Sequence, residues 1–228
     1  MFTFNNNMVE DKELKFRKEV VDGAKKIFEK GLNDNNEGNI SVRNGRKEEI
    51  FITPTANQYD SLTIEQITHL DFNGNVIGKG KIPSTETKLH LAIYKARPKV
   101  KCVIHTHSPY ATMLSITRKH VPIIMEEQVV FLGGSIDLAP YGEAHTEKVG
   151  EVALKALGNK NAALLSNHGV IVCGKSVINA VKYAELVEKL AYLYWGALQI
   201  GKPVILENEN LDKFYEMHER LFSNLRKK

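Results

Sequence analysis

Apolar residues recur along this chain with two different periods, and the two alternate. In residues 11–31, Phe16, Val20, Val21, Ala24, Ile27 and Phe28 share one helical face, and Gly31 supplies the stop. Residues 39–43 and 49–53 read as two short strands joined at Gly45, and residues 61–67 as a short helix. Residues 69–72 and 76–77 flank Asn73-Gly74, a strong hairpin signal. Residues 85–96 are helical and stop before Pro98, and residues 100–105 form a strand. Ser108 followed by Pro109 has the form of an N-cap with proline at the first helical position. Residues 146–157 form a helix closed by Gly158, and strands at 162–166 and 170–173 flank Asn167-His168-Gly169. Ser176 opens a long helix that runs to about Ile200, and a last helix begins near Leu211.

Hairpin-linked strands and helix-separated strands both occur. The pattern predicts an α/β fold: a single layered α/β/α domain around a mixed, largely antiparallel central sheet. A length of 228 residues, with no repeat and no Pro/Gly/Ser linker, predicts one domain over 1–228, with residues 1–9 a frayed start. The chain is 43% hydrophobic and 25% charged, an ordinary globular composition that argues against disorder or a coiled coil. The net charge is +4 and scattered, apart from the Arg226-Lys227-Lys228 tail. That distribution gives no basic face for nucleic acid and suits a small anionic substrate. No apolar run reaches the ~18 residues of a membrane span, and residues 1–13 lack the build of a signal peptide. Cys102 and Cys173 sit in apolar strands and read as small buried hydrophobes, as expected for a reduced, cytoplasmic protein.

Chemistry concentrates at a few strand ends. His105-Thr106-His107 follows an apolar strand, and residues two apart on a strand share a face, so both imidazoles can meet one ion. His168, in the turn between two apolar strands, is placed as a third ligand, and three ligands with an open position is the catalytic zinc pattern. Pro83-Ser84-Thr85-Glu86 opens a helix, where hydroxyls and free N–H groups favour an anion and Glu86, one turn in, is a base or a ligand. The segments 37–41 and 52–56 are turns rich in amides and hydroxyls. Neither is a P-loop, and no GxGxxG is present, which argues against the usual nucleotide sites.

Taken in order, Gly38-Asn39-Ile40-Ser41-Val42-Arg43, Ile52-Thr53-Pro54-Thr55, Pro83-Ser84-Thr85-Glu86, His105-Thr106-His107 and Asn167-His168-Gly169 resemble the class II aldolase/adducin family. The likeness is nearest to its sugar-phosphate aldolases of the fuculose-phosphate type, over about residues 11–205. The resemblance implies Zn2+ on His105, His107 and His168, with Mn2+ or Co2+ as alternatives that imidazole ligands also accept. It implies Glu86 as acid/base and a substrate phosphate held among Asn39, Thr55, Ala56, Ser84 and Thr85. It also implies a homotetramer with active sites near subunit interfaces, and cleavage of a ketose 1-phosphate to dihydroxyacetone phosphate and an aldehyde.

Two departures keep other activities of the superfamily open. The aldolases carry a tyrosine where this chain has Glu126, beside Glu127, so a carboxylate is a candidate second acid/base there. Tyr215 is the nearest candidate for a further substrate-facing tyrosine. Methylthioribulose-1-phosphate dehydratases use a glutamate in the segment of Glu126-Glu127, and sugar-acid phosphate decarboxylases share the fold. A 4-epimerase would carry aspartate in place of Glu86, and an adducin-like module would be expected to lose the histidines. His69, His120, His145 and His218 lack a convergent context, while His90 lies one turn beyond Glu86, near the site. Trp195, with Tyr192 and Tyr194, reads as core or interface.

Overall fold

The computed structural model describes residues 4–34, 36–45, 47–207 and 210–223. In chain order the elements are α1 (Phe4–Glu29), β1 (Asn39–Asn44), β2 (Glu49–Ile52), a 3-10 turn (Ile64–Gln66), β3 (Thr68–Asp71), α2 (Thr87–Ala96), β4 (Cys102–Thr106) and α3 (Pro109–Ile116). Then come α4 (Glu126–Leu132), β5 (Asp137–Ala139), α5 (Glu147–Leu157), β6 (Ala162–Leu165), β7 (Gly169–Gly174), α6 (Val177–Ile200) and α7 (Asp212–Ser223). The strands form one seven-stranded sheet in the order β3-β2-β1-β4-β7-β6-β5. Every neighbouring pair is antiparallel except β5 with β6. The sheet is therefore mixed and largely antiparallel, as the alternating pattern predicts.

Strand alternation sorts the core into two layers. Ile40, Val42, Cys102, Ile104, Val170 and Val172 face α1, α3 and α6. Val103, Ile171 and Cys173 face α2 and α5. The two cysteines thus lie in opposite layers, both buried and free, and burial pushes the Cys173 thiol up to about 11. Asn39, Ser41 and His105 take the alternate positions on the α2 side, where polar groups meet at one end of an otherwise apolar layer. A third, smaller cluster joins α4 to α7 through Val129, Val130, Leu211 and Phe214. Among the described residues, no helix is long and apolar enough to cross a membrane.

Several boundaries differ from the expectations above. Helix α1 begins at Phe4, so residues 4–9 continue the helix instead of fraying, and residues 1–3 lie outside the described residues. The basic 226–228 tail also lies outside them. Helix α4 and strand β5 span only seven and three residues, too short for either period to register. The second arm of the Asn73-Gly74 hairpin is a single bridge from Val76 to Leu70. Thr146 and Ser176 cap α5 and α6 through their side chains. Ser108 holds the cap position of α3 but makes no side-chain cap bond. The Glu188 carboxylate, reaching across from α6, accepts from Tyr110 N at 2.8 Å and Ala111 N at 3.0 Å, a longer-range route to the same end.

Candidate metal and active site

Three chain segments meet at the end of the sheet where β4 stops. Antiparallel pairing sets Asn39 of β1 opposite His105 on one side of β4 and Ile171 of β7 on the other. The β6–β7 turn then delivers His168 beside the end of β4. Asn167 in that turn is left-handed, at φ 55°. Gly169 admits the close approach: a Cβ there would lie 2.3 Å from the Thr106 carbonyl oxygen and about 3 Å from the His107 ring. His107 lies one residue beyond the strand, and its ring still turns to meet His105, with centroids 4.8 Å apart. Asn33 pins this segment, accepting from His107 N at 2.9 Å and reaching the His105 carbonyl at 3.4 Å.

Glu86 arrives from the other side. Residues 53–55 and 82–84 run antiparallel through a Pro54–Pro83 bridge, with Ser84 N donating to Thr53 O and Thr55 N to Ile82 O. This lays Thr55 and Ala56 alongside Ser84 and Thr85. Glu86 stands at the N-cap of α2, with φ −96° and ψ 14°, rather than one turn into the helix as expected. The cap position swings its carboxylate inward toward the histidines.

The nitrogen and oxygen atoms converge closely. One ring nitrogen from each of His105, His107 and His168 lies within 4.8 Å of the other two. His105 Nε2 is 2.9 Å from His107 Nε2 and 3.0 Å from Glu86 Oε2. His168 Nε2 is 3.0 Å from Glu86 Oε1, yet that buried oxygen has no aligned hydrogen bond. His105 Nδ1 lies 2.8 Å from the Val170 carbonyl, which can only accept, so Nδ1 carries the proton and Nε2 presents a lone pair. A neutral His105 therefore directs its lone pair at a carboxylate oxygen and at another imidazole.

Such a cup of acceptors calls for a positive charge at its centre. Protonated imidazole is a poor source of it here. Burial drives His105 down to about 3 although Glu86 pulls the other way, and burial with the neighbouring His168 also lowers His107. For Glu86, burial pushes upward, but His105, His168 and the Asn39 amide outweigh it and hold the carboxyl well below the usual range. Three converging imidazoles and a carboxylate fit a divalent cation such as zinc by their donor chemistry.

A cavity of about 220 Å³ opens beside this cup. Asn39, Thr55, Ala56, Ser84 and Thr85 line it together with Glu86, His107 and His168, so all of the residues expected at the phosphate are brought together. The Asn39 side chain is already engaged, donating to Glu86 Oε2 at 2.9 Å. Ala56 is held at φ 52°, a left-handed conformation. Larger clefts of about 420 and 400 Å³ lie elsewhere, around Lys175 and Phe222, and contain none of the three clustered histidines.

Three expected residues do not reach this cavity within one chain. Glu126 and Glu127 start α4, where Glu127 pairs with Lys189 of α6 at 2.9 Å. Tyr215 packs with the α4–α7 cluster. Tyr59 and His145 are among the residues passed over in the sequence that do line it. Tyr59 donates its hydroxyl to Gly38 O at 2.6 Å, and His145 stands at φ 66°. His145 is thus brought to the site that its sequence context did not suggest; its placement depends on loop geometry, which has no periodic signature.

Comparisons with known proteins identify the family. The chain matches the family model described as Class II Aldolase and Adducin N-terminal domain over residues 18–195. The L-fuculose phosphate aldolase of Escherichia coli (strain K12) is 36% identical over 198 residues, covering 86% of this chain and 91% of that protein. A 5-deoxy-D-ribulose 1-phosphate aldolase of Bacillus thuringiensis serovar kurstaki is 32% identical over 205 residues, covering 89% and 96%. A solved L-fuculose 1-phosphate aldolase superposes with a TM-score of 0.85 at 30% identity, covering 91% of this chain and 96% of that one. The chain belongs to the class II aldolase and adducin family.

Proposed function

We propose that this chain is a divalent-metal-dependent lyase that cleaves a ketose 1-phosphate reversibly to dihydroxyacetone phosphate and an aldehyde. The observation that carries the reading is the Glu86 carboxylate facing His105 and His168 at 3.0 Å, on the wall of a cavity whose other side is amide and hydroxyl. The similarity to fuculose-phosphate and deoxyribulose-phosphate aldolases supports the substrate class. His105, His107 and His168 would hold the metal, zinc being the best match to three imidazoles. When bound, the metal supplies Lewis acidity toward the substrate's carbonyl and adjacent hydroxyl oxygens.

The rest of the work falls to this chain's own groups. Ser84, Thr85, Thr55 and the backbone at Ala56 bind the phosphate at the start of α2, with Asn39 on the adjoining wall. That remote contact orients the reacting carbons. Glu86, a carboxylate at the cavity wall, moves the proton: as the carbon–carbon bond breaks, it takes the proton from the hydroxyl whose carbon becomes the aldehyde and returns it to the carbon left on the phosphate-bearing fragment, and in the reverse direction it carries the proton back. The dehydratases of the superfamily typically lack a glutamate at the position of Glu86, which stands in the cavity wall here, so the aldolase reading is preferred. The same resemblance supports a cytoplasmic homotetramer, to be read by sedimentation.

The test is a panel of ketose 1-phosphates, including fuculose, 5-deoxyribulose and methylthioribulose phosphates, given to metal-analysed protein. Chelator-sensitive release of dihydroxyacetone phosphate is expected, and the relative rates name the aldehyde. Loss of water from the methylthio substrate without that release would overturn the reading.

A further inference from the structure

Behind Glu86, away from the cavity, runs a buried line of polar groups. Asn39 Nδ2 donates to Glu86 Oε2 at 2.9 Å, so the amide oxygen of Asn39 points away from the carboxylate. His90 Nε2 lies 2.5 Å from that oxygen. An amide oxygen only accepts, so Nε2 carries the ring proton and Nδ1 is left to accept. Ser41 Oγ meets Nδ1 at 2.6 Å. Ser41 Oγ in turn lies 2.9 Å from the Tyr94 hydroxyl, which donates to Ser41 O at 2.9 Å. His90, Ser41 and Tyr94 are wholly buried, and none of them lines the cavity.

The line works in one direction only. An asparagine amide has nearly the same shape whichever way it faces, and its neighbours decide the orientation. Turned over, Asn39 would set its oxygen against the Glu86 carboxylate and its NH2 against His90 Nε2–H, acceptor to acceptor and donor to donor. With Nε2–H donating, His90 admits only the orientation that gives Glu86 a hydrogen bond. Ser41 Oγ, 2.6 Å from Nδ1, supplies the proton that the bare nitrogen of that tautomer accepts. Each member is thus set by the one behind it.

We propose that His90, held by Ser41, is a positioning residue that acts through Asn39 to keep the Glu86 carboxylate aimed into the cavity. The inference rests on the aldolase reading above and deepens it. His90 touches neither substrate nor metal. Its removal should therefore act on turnover and leave both binding steps alone.

The experiment compares wild type with His90→Phe, which fills the same space without ring nitrogens, and with His90→Gln, which can donate to Asn39. Metal content, kcat and KM are measured on each, with 15N spectra of histidine-labelled wild type. His90→Phe is expected to lose kcat by about 10–100-fold, the usual scale for removing such a supporting partner. Its KM and bound metal should stay near the wild-type values. His90→Gln should recover much of the loss, which a merely space-filling role would not predict. The spectra should show His90 as the Nε2–H tautomer with or without metal. If His90→Phe fails to fold, Ser41→Ala carries the test, because it removes only the donor that sets the tautomer and should lower kcat several-fold at constant KM. Wild-type turnover with an unchanged kcat in a folded His90→Phe would overturn the relay alone, as would an Nδ1–H spectrum. Inactivity of metal-loaded wild type on the whole panel would overturn the aldolase reading instead, and the spectra would still decide whether His90 is set as described.

Discussion

At the β3 edge of the sheet, His69 lies beside Glu49 and Glu13. At the end of β4, His105 lies beside Glu86. Both histidines are buried and both face carboxylates at about the same range, 3.2 Å from Glu49 and 3.0 Å from Glu86. Their surroundings differ. His69 stacks flat on Phe51, with centroids 4.1 Å apart, and Arg17 lies over the same Phe51 ring, 5.6 Å from its centroid. Glu49 has further partners in Asn44 at 3.1 Å and Lys47 at 3.5 Å. The charges there are matched by cations and donors already present, and Gly78 packs close against the His69 ring. At the other cluster three imidazoles meet edge to edge, at 4.6–5.3 Å between centroids, and the carboxylate beside them has only Asn39 as an aligned donor. Identical residue types thus give a closed pair in one place and an electron-rich cup beside a cavity in the other. Convergence of lone pairs distinguishes a metal site from a buried histidine, more than the presence of histidine and glutamate together.

The largest effect is expected where the cup is broken. His107→Ala should abolish bound metal and turnover together, read by metal analysis and by release of dihydroxyacetone phosphate. Glu86→Gln keeps the shape and removes the proton carrier. It should retain metal and lose about 10²–10⁴ in kcat, the usual contribution of a positioned acid/base. Full turnover in Glu86→Gln would remove that residue from the proton chemistry and erase much of the contrast between the two clusters.

A third buried histidine sharpens the comparison through pH. Burial drives His90 down to about 4, although the charge of Glu86 opposes this. In the unfolded chain it titrates near 6.5. The unfolded state therefore takes up the proton first, so His90 favours folding above about pH 6.5, and that contribution is lost as pH falls toward 4. Over that interval the loss is about 3 kcal/mol as an order of magnitude. Denaturant unfolding at several pH values should show a shallower acid decline in His90→Gln than in wild type. Parallel declines would mean that His90 takes up a proton as readily in the folded chain as in the unfolded one, and would contradict a bare Nδ1 that accepts from Ser41.

How much of this was legible beforehand depends on the kind of signal. The long helices α1 and α6 and the hairpin strands announce themselves through period, because buried faces must be apolar at fixed intervals, while the five ordered motifs are legible through their resemblance to the family. The His105–His107 pair could be read from the strand period, although His107 lies just past the strand. The short α4 and β5 could not, since seven and three residues hold too little of either period. Nor could the placement of Glu86 at a cap, which depends on the 53–55 and 82–84 segments pairing across some thirty residues. His145 was invisible for a similar reason: a left-handed loop residue carries no pattern. Glu126 and Glu127 differ again, because a site shared between subunits is not displayed by one chain. Their alignment with a functional tyrosine drew attention, while in the fold Glu127 meets Lys189 on α6.

The smallest expected effect tests the quiet cluster. His69→Phe should preserve the stack on Phe51 while deleting the contact to Glu49. In the histidine cup, removing one partner leaves the others unbalanced. At the β3 edge, Glu49 would keep Asn44 and Lys47, so no buried carboxylate is stranded. The substitution also removes His69 Nδ1, a buried nitrogen without a hydrogen-bond partner, which offsets part of the loss. The net destabilisation should be about 1 kcal/mol, the size of one ordinary hydrogen bond. Metal content and kcat should match wild type, since His69 lies outside the cavity lining. Thermal unfolding and metal analysis on the same sample check both halves. A drop in bound metal in His69→Phe would show that the two clusters are coupled through β1 and β2, and the distinction between a closed pair and an open cup would then have to be redrawn.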